Sequence, residues 1–189
     1  MKLSLIVIFA LNSILYGWTQ NIQTPDSTQS QKVTKIYMVR HAEKEKGDNP
    51  PLNEKGEIRA IQLKKLLADS GITAIYCPDL LRNKQTAGPL AQHLHINIRL
   101  ISDNFIQDTR ALAEYLISEI IPKHTGEVIL FVGNAKSSGK EKIGNLQALY
   151  QELGGTTSLL TRYSDIHTVI IKADTTKFKH NTYGTLSDY

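Results

Sequence analysis

Short apolar runs alternate with amphipathic segments along most of this chain, and this alternation is the feature that most constrains its fold. The apolar runs predict strands over residues 35–39, 72–77, 96–101, 128–132 and 169–172. Apolar residues at helical spacing predict helices over residues 54–69, 80–94, 108–121 and 143–153. This order is typical of a three-layer α/β/α fold, in which a mostly parallel central sheet is flanked by helices. In such sheets, functional residues lie beyond the carboxyl ends of the strands.

The length of the chain suits a single α/β domain, which we expect to span residues 32–189. Its 189 residues, of which 41% are hydrophobic, suffice for one sizeable core and not comfortably for two. The only cysteine is Cys77, which excludes an internal disulfide framework and a multi-cysteine metal site. The net charge of +4 is modest and the lysines are scattered, so the composition argues against a nucleic-acid partner.

The amino-terminal segment has the pattern of a secretory signal peptide. Lys2 supplies a positive charge, residues 3–15 are almost wholly apolar, and the sequence then turns polar. The apolar stretch is shorter than the roughly 20 residues that span a bilayer. We therefore expect a signal peptide over residues 1–20 and a flexible lead-in over residues 21–31. Export to the periplasm or the medium follows, without stable membrane association after cleavage; an uncleaved signal is the alternative.

The dipeptide Arg40-His41 follows the first predicted strand directly and is suited to phosphate chemistry. A neutral imidazole can attack phosphorus, and a guanidinium offers planar, permanently charged donors to phosphoryl oxygens. A histidine at the end of a strand can also be a hydrogen-bonded structural residue. The dipeptide alone does not decide between these interpretations.

Three motifs in a fixed order add weight to the catalytic interpretation. They are Arg40-His41-Ala42 after the first strand, Leu52-Asn53-Glu54-Lys55-Gly56 at the start of a helix, and Arg82-Asn83-Lys84-Gln85-Thr86 after the second strand. Together they resemble the hallmarks of the histidine phosphatase superfamily, also called phosphoglycerate mutase-like, over roughly residues 34–171. The resemblance implies a phosphoglycerate mutase-like fold and a catalytic phosphohistidine.

The resemblance also implies roles for individual residues. His41 would take the phosphoryl group, while Arg40 and Arg82 would bind its oxygens. In the family, a second histidine follows a later strand and contacts the phosphoryl group, and here Asn134 occupies that place in the sequence. Asparagine can donate a hydrogen bond to phosphate but cannot become cationic. By analogy with oxyanion-hole donors, such a loss costs about 10²-fold to 10³-fold in rate.

A leaving alkoxide needs a proton, and the family takes that proton from a carboxylate. The candidates are Asp103, Asp108 and Glu43, and we favour Asp103 as the catalytic acid. Asp108 is also well placed to cap the helix that follows it. Glu43 lies two residues beyond His41, from where it could reach the phosphate-binding site.

No metal or cofactor is implied by the sequence. The remaining histidines lack partners at metal-ligand spacing. The small residues and lysines of residues 136–140 suggest an anion-binding loop, but their spacing does not fit the Walker A phosphate-binding motif. We interpret this segment as a flexible loop.

Two functions remain open at this level. The first is hydrolysis of a phosphomonoester through a phosphohistidine at His41, impaired by Asn134. The second is a non-catalytic member, a pseudophosphatase that binds a phosphorylated ligand through the retained arginines. In either case the expected partner is a small phosphorylated molecule or a phosphoprotein.

Overall fold

The computed structural model describes residues 32–102, 105, 108–136, 143–159 and 161–185. Six strands form one sheet: β1 (Thr34–Arg40), β2 (Ile72–Pro78), β3 (Ile98–Ile101), β4 (Val128–Gly133), β5 (Asp165–Lys172) and β6 (Thr175–Thr182). The α-helices are α1 (Glu54–Leu67), α2 (Leu81–Leu94), α3 (Thr109–Tyr115) and α4 (Asn145–Glu152). The predicted signal peptide and lead-in lie outside the described residues. None of the described helices is long and apolar enough to cross a membrane.

The sheet is parallel in its first four strands and antiparallel at the other edge. The strand order is β3-β2-β4-β1-β5-β6. The pairs β2–β3, β2–β4 and β1–β4 are parallel, whereas β1–β5 and β5–β6 are antiparallel. The predicted α/β fold with a mostly parallel central sheet is therefore confirmed. Because β1, β2 and β4 run in one direction, the segments that follow them lie at one edge of the sheet.

A hydrophobic core covers each face of the sheet, as the alternation of side chains along a strand requires. Met38 and Phe131 pack on one face with residues of α3 and α4, such as Leu112 and Leu149. The neighbouring strand residues, such as Leu130, pack on the other face with residues of α1 and α2. The central strands are covered on both sides, so they offer a rigid base for the loops at their ends.

The structure departs from the predicted elements in the second half of the chain. Strand β5 begins at Asp165, earlier than predicted, and β6 was not predicted at all. Most residues of β6 are exposed, and Phe178 is only partly buried. The sequence of this strand therefore needs no apolar run, which is the pattern from which a strand is predicted. The predicted helix over residues 108–121 is α3 followed by a π-helical turn, Leu116–Ile120, and a 3₁₀ turn, Ile121–His124.

The start of α1 is fixed against the chain segment that follows β1. Asn53 caps the helix, with Oδ1 accepting a hydrogen bond from the Gly56 amide at 3.0 Å. The Asn53 amide in turn donates to the carbonyl oxygen of Glu43 at 3.0 Å. A Cβ atom at Gly56 would overlap that same oxygen. Only glycine allows α1 to approach the loop this closely.

Two helical glycines provide a matched test of this close approach. Gly56→Ala should lower the free energy of unfolding by about 1–3 kcal/mol, because the new methyl group overlaps the backbone of Glu43. Gly88→Ala in α2 should instead be neutral or stabilise by about 0.5–1 kcal/mol, because a Cβ atom added there would meet nothing within 4 Å. Urea denaturation of both variants measures the difference. Equal effects would contradict the proposed contact.

Candidate functional site

The site is formed where β1 and β4 end side by side. Arg40, the last residue of β1, is paired in register with Gly133, the last residue of β4. The backbone amide of His41 continues this pairing and donates to the carbonyl oxygen of Gly133 at 2.9 Å. Arg82 reaches the same edge from the first turn of α2, which follows β2. The positive charges of Arg40 and Arg82 both act on His41, so the three groups form one site.

The His41 ring is oriented with one nitrogen already engaged. Nδ1 lies 2.8 Å from the carbonyl oxygen of Ala42, and only 4% of the residue is exposed. Because a carbonyl oxygen can only accept, Nδ1 must carry the proton in this hydrogen bond. The lone pair of a neutral imidazole is then on Nε2. The ring therefore has the tautomer that a nucleophile acting through Nε2 requires.

The surroundings of His41 favour its neutral form. Burial, together with the positive charges of Arg40, Arg82 and Lys44, lowers the pKa of His41 to about 3, despite the favourable hydrogen bond to Ala42. At neutral pH the ring is uncharged and Nε2 is available as a nucleophile.

Arg40 is held by the segment that leads into β5. Its Nη1 donates to the carbonyl oxygen of Thr161 at 3.2 Å, and its Nη2 donates to the hydroxyl of Tyr163 at 3.2 Å. The guanidinium carbon also lies 4.0 Å from the centre of the Tyr163 ring, a cation–π geometry. These contacts leave its Nε–H without a hydrogen-bond partner among the described residues.

Arg82 shares this property with Arg40. Its buried Nε–H also has no hydrogen-bond partner in the described part of the chain. Burial lowers the pKa of both guanidinium groups. The two like charges act on each other, and their repulsion opposes this close placement. An anion placed here would receive hydrogen bonds from both groups and neutralise their repulsion.

Gln85 and Thr86 connect the three sequence motifs. The Thr86 hydroxyl accepts a hydrogen bond from the Ala42 amide at 2.9 Å and donates to the carbonyl oxygen of Arg82 at 2.7 Å. Gln85 Oε1 accepts from the Leu52 amide at 2.8 Å. These two side chains fix the loop that carries His41 to the helix that carries Arg82. Their role is positioning, which explains why they accompany the arginine.

Glu43 lies in a buried ion pair with Arg59 of α1. The two side chains are 11% and 5% exposed, and their shortest contact is 2.7 Å. Burial would raise the pKa of the Glu43 carboxyl, but hydrogen bonds from Arg59 outweigh it and hold that pKa below its ordinary value. Arg59 also donates to the carbonyl oxygens of Tyr183 and Thr185. The structure thus places Glu43 in a contact that joins the His41 loop to the carboxyl-terminal segment.

Asn134 follows β4 directly and is 7% exposed. Its backbone amide donates a hydrogen bond to Asn145 Oδ1 at 2.7 Å, which connects the end of β4 to the start of α4. Its own Oδ1 is buried and has no hydrogen-bond partner among the described residues. The residue thus lies next to Gly133, the backbone partner of His41, and it carries an unused polar atom. Its predicted role in binding phosphate stays a prediction.

The other candidate acids differ in their placement. Asp103 lies outside the described residues. Asp108 caps α3, since its Oδ1 accepts a hydrogen bond from the Ala111 amide at 2.9 Å. The capping role predicted for Asp108 is therefore confirmed, while the role of Asp103 stays a prediction.

A second histidine, His167, lies in a different cavity. It sits on β5 opposite Met38, two residues before Arg40 along β1. Its ring stacks on His180 with ring centres 4.8 Å apart, and Tyr150 also lies against it. The cavity has a volume of about 220 Å³ and is also lined by Leu159 and Phe178. Its lining residues include neither His41 nor the two arginines of the site.

Sequence reasoning missed Tyr163. Its ring centre lies 5.9 Å from that of His41, and its hydroxyl bonds Arg40. The residue precedes β5 and belongs to no recognisable motif. Only the antiparallel pairing of β5 with β1 brings it to the site, and a sequence pattern does not reveal that pairing.

The family comparison covers the first part of the domain. Residues 36–105 match the model of the histidine phosphatase superfamily, branch 1. This range contains Arg40, His41 and Arg82, and it ends before Asn134. No curated protein sequence matches the chain.

Solved structures of phosphatases and mutases share the fold. The protein histidine phosphatase SixA, complexed with tungstate, aligns with a TM-score of 0.60 at 16% identity, over 78% of this chain and 96% of that chain. A putative alpha-ribazole-5'-P phosphatase from Escherichia coli gives 0.61 at 14% identity, over 79% and 96%. A phosphoglycerate mutase from Bacillus anthracis gives 0.55 at 15% identity, over 79% and 92%. The phosphoglycerate mutase-like fold predicted from the sequence is thereby confirmed.

Removal of the Arg59 cation should destabilise the domain in a pH-dependent way. Arg59→Met leaves the Glu43 carboxylate buried without its partner, which should cost about 3–5 kcal/mol of unfolding free energy at pH 7. Because the pKa of Glu43 is lowered in the folded protein, the ion pair contributes fully above the ordinary glutamate pKa. The contribution is lost as the pH falls through the lowered value, so the difference between wild type and variant should shrink in acid.

Urea denaturation between pH 7 and pH 3 measures this difference. The double variant Arg59→Met/Glu43→Leu is the control, because it removes both charges and should recover part of the loss at neutral pH. A loss in Arg59→Met that does not change with pH would contradict the ion-pair explanation.

Proposed function

We propose that this protein is a phosphomonoesterase of the histidine phosphatase superfamily and that it forms a phosphohistidine at His41. One observation carries the proposal. A neutral imidazole with a free Nε2 lies beside two guanidinium groups, and the Nε–H of each has no partner among the described residues. The two positive charges repel each other, and a phosphoryl group would neutralise them and accept hydrogen bonds from the guanidinium groups.

Each of these groups has a role in the transfer. Nε2 of His41 attacks phosphorus, while the Nδ1 hydrogen bond to Ala42 stabilises the positive charge that grows on the ring. Arg40 and Arg82 bind the phosphoryl oxygens and stabilise their charge in the loose transition state. A bound phosphate also offsets the positive field that lowers the basicity of His41, so the ring becomes a better nucleophile when the site is filled.

The second part of the proposal concerns Asn134. In place of the family's second histidine, this residue would offer hydrogen bonds without positive charge, so transfer would be slower than with an imidazolium. Its position directly after Gly133, next to the backbone of His41, supports this role. We propose a functional but impaired enzyme.

The substrate class and the location follow from the same proposal. The proposed substrate is a small phosphorylated molecule or a phosphorylated side chain of a protein. We further propose that the protein is exported, on the pattern of residues 1–20. Amino-terminal sequencing of the mature protein recovered from the periplasm checks this; an intact Met1 in cytoplasmic protein would contradict it.

The alternative function is phosphate binding without turnover. The two guanidinium charges favour it equally, because they would bind a phosphorylated ligand whether or not His41 attacks it. The two functions differ only in the covalent step.

Hydrolysis of an aryl phosphate by three proteins separates these functions. Wild type should release product, and His41→Ala should show none above background, because the nucleophile is gone. Asn134→His should raise the rate, by up to about 10²-fold to 10³-fold if the missing cation is the main defect. With an aryl phosphate labelled in its phosphoryl group, wild type should retain the label as phosphohistidine after an alkaline quench. His41→Ala is the matched control and should retain none.

The outcomes are distinct. Wild type that equals His41→Ala in both assays would contradict the enzyme proposal. In that case, calorimetry with inorganic phosphate tests the binding function. Binding to wild type that is lost in Arg82→Met would establish it. No binding and no turnover would exclude both.

A further inference from the structure

Tyr163 occupies a particular place in the site. Its hydroxyl accepts a hydrogen bond from Arg40 Nη2 at 3.2 Å, and its ring centre lies 5.9 Å from that of His41. The residue also lies close enough to Arg82 to interact with it electrostatically. The phenol therefore contacts one of the proposed phosphate-binding arginines and lies close to the ring of the nucleophile. It is a proton-bearing group beside both.

The described carboxylates near the site are engaged elsewhere, while Asp103 lies outside the described residues. Within the described ranges, the ones near the strand ends are paired with cations: Glu43 with Arg59, Asp79 with Lys84, and Asp165 with both Arg162 and His180. Burial opposes ionisation of Asp165, but its hydrogen bonds to Arg162 and His180 lower its pKa, as those from Arg59 do for Glu43. A carboxylate held ionised in this way has no proton to give to a leaving alkoxide.

We propose that Tyr163, in place of the Asp103 favoured from the sequence, is the general acid that protonates the leaving group, an inference that rests on the proposed phosphohistidine chemistry. The lone pair of His41 Nε2 forms the N–P bond, and the P–O bond to the alcohol breaks with its electron pair on oxygen. The Tyr163 proton moves to that oxygen, which leaves as a neutral alcohol. The tyrosinate that remains is stabilised by the guanidinium groups of Arg40 and Arg82.

The second half-reaction restores the tyrosine. Water gives a proton to the tyrosinate, and its oxygen forms a new P–O bond as the N–P bond breaks. The electron pair of that bond returns to Nε2, and inorganic phosphate leaves. Atoms and charge balance over the cycle, and no co-reactant other than water is needed.

The leaving group provides the test. Glycerol 2-phosphate releases a strongly basic alkoxide that needs a proton, whereas 4-nitrophenyl phosphate releases a stable phenolate that does not. Tyr163→Phe keeps the ring over Arg40 and removes only the hydroxyl. Its kcat/KM should fall about 10²-fold or more for glycerol 2-phosphate and less than about fivefold for 4-nitrophenyl phosphate. Across a series of aryl phosphates, the variant should depend more steeply on leaving-group basicity than wild type.

Tyr150→Phe is the matched control. The Tyr150 hydroxyl lies 3.2 Å from Thr157 Oγ1 and away from the arginines, so this variant should keep the wild-type ratio between the two substrates. An equal loss on both substrates in Tyr163→Phe would show that Tyr163 only holds Arg40, and would overturn the proposal. No loss on either substrate would overturn it as well.

Failure of the underlying function is recognised separately. It shows in wild type, as an absence of turnover that depends on His41, before any Tyr163 variant is compared. That result would overturn the role of Tyr163 together with the enzyme function. Wild type that hydrolyses only the aryl phosphate would overturn the role of Tyr163 alone, because it would show that no effective proton donor is present.

Discussion

The parallel pairing of β1 with β4 is the constraint on which the site depends. It places Arg40 beside Gly133 and lets the His41 amide bond the Gly133 carbonyl at 2.9 Å. A slip of one residue would exchange the faces of Arg40 and His41 and change their position relative to Arg82. A Cβ at Gly133 would come within 2.5 Å of Asn145 Oδ1, so a side chain there would displace residues of α4. Helix α4 thus packs tightly against the end of β4, at the residue that pairs with Arg40.

The two positive charges of the site favour a bound anion. Two partly buried guanidinium groups repel each other, and the Nε–H of each lacks a partner among the described residues, which costs stability until an anion binds. Burial, and after it the charges of the same arginines, lower the pKa of His41 to about 3 and keep the ring neutral. A phosphoryl dianion would offset the repulsion between the arginines and the part of the pKa decrease that they cause. Binding and activation of the nucleophile are therefore two consequences of one arrangement of charge.

The sequence predicted the parts of this site that local patterns encode. The apolar runs predicted β1, β2 and β4. Because strands of a parallel sheet end at one edge, they also predicted that Arg40 and Arg82 lie at the same edge. The polar strand β6 was not predicted, because its exposed residues give no apolar run. The ion pair of Glu43 with Arg59 depends on how α1 docks, and that packing between distant segments has no local signature. The same reason explains why Tyr163, which reaches the site through an antiparallel strand, was not predicted.

In the proposed mechanism, the segment before β5 links phosphate binding to proton transfer. Thr161 and Tyr163 both hold Arg40, one through a backbone carbonyl and one through a hydroxyl. A change in this segment therefore alters the position of the phosphate donor and of the proposed acid together. In the proposed enzyme, Asn134 would bring no positive charge to the site, so charge stabilisation would fall to Arg40 and Arg82. An acid held against one of these arginines would give up its proton without leaving a bare negative charge, which would offset part of the cost of the proposed replacement of a second histidine by Asn134.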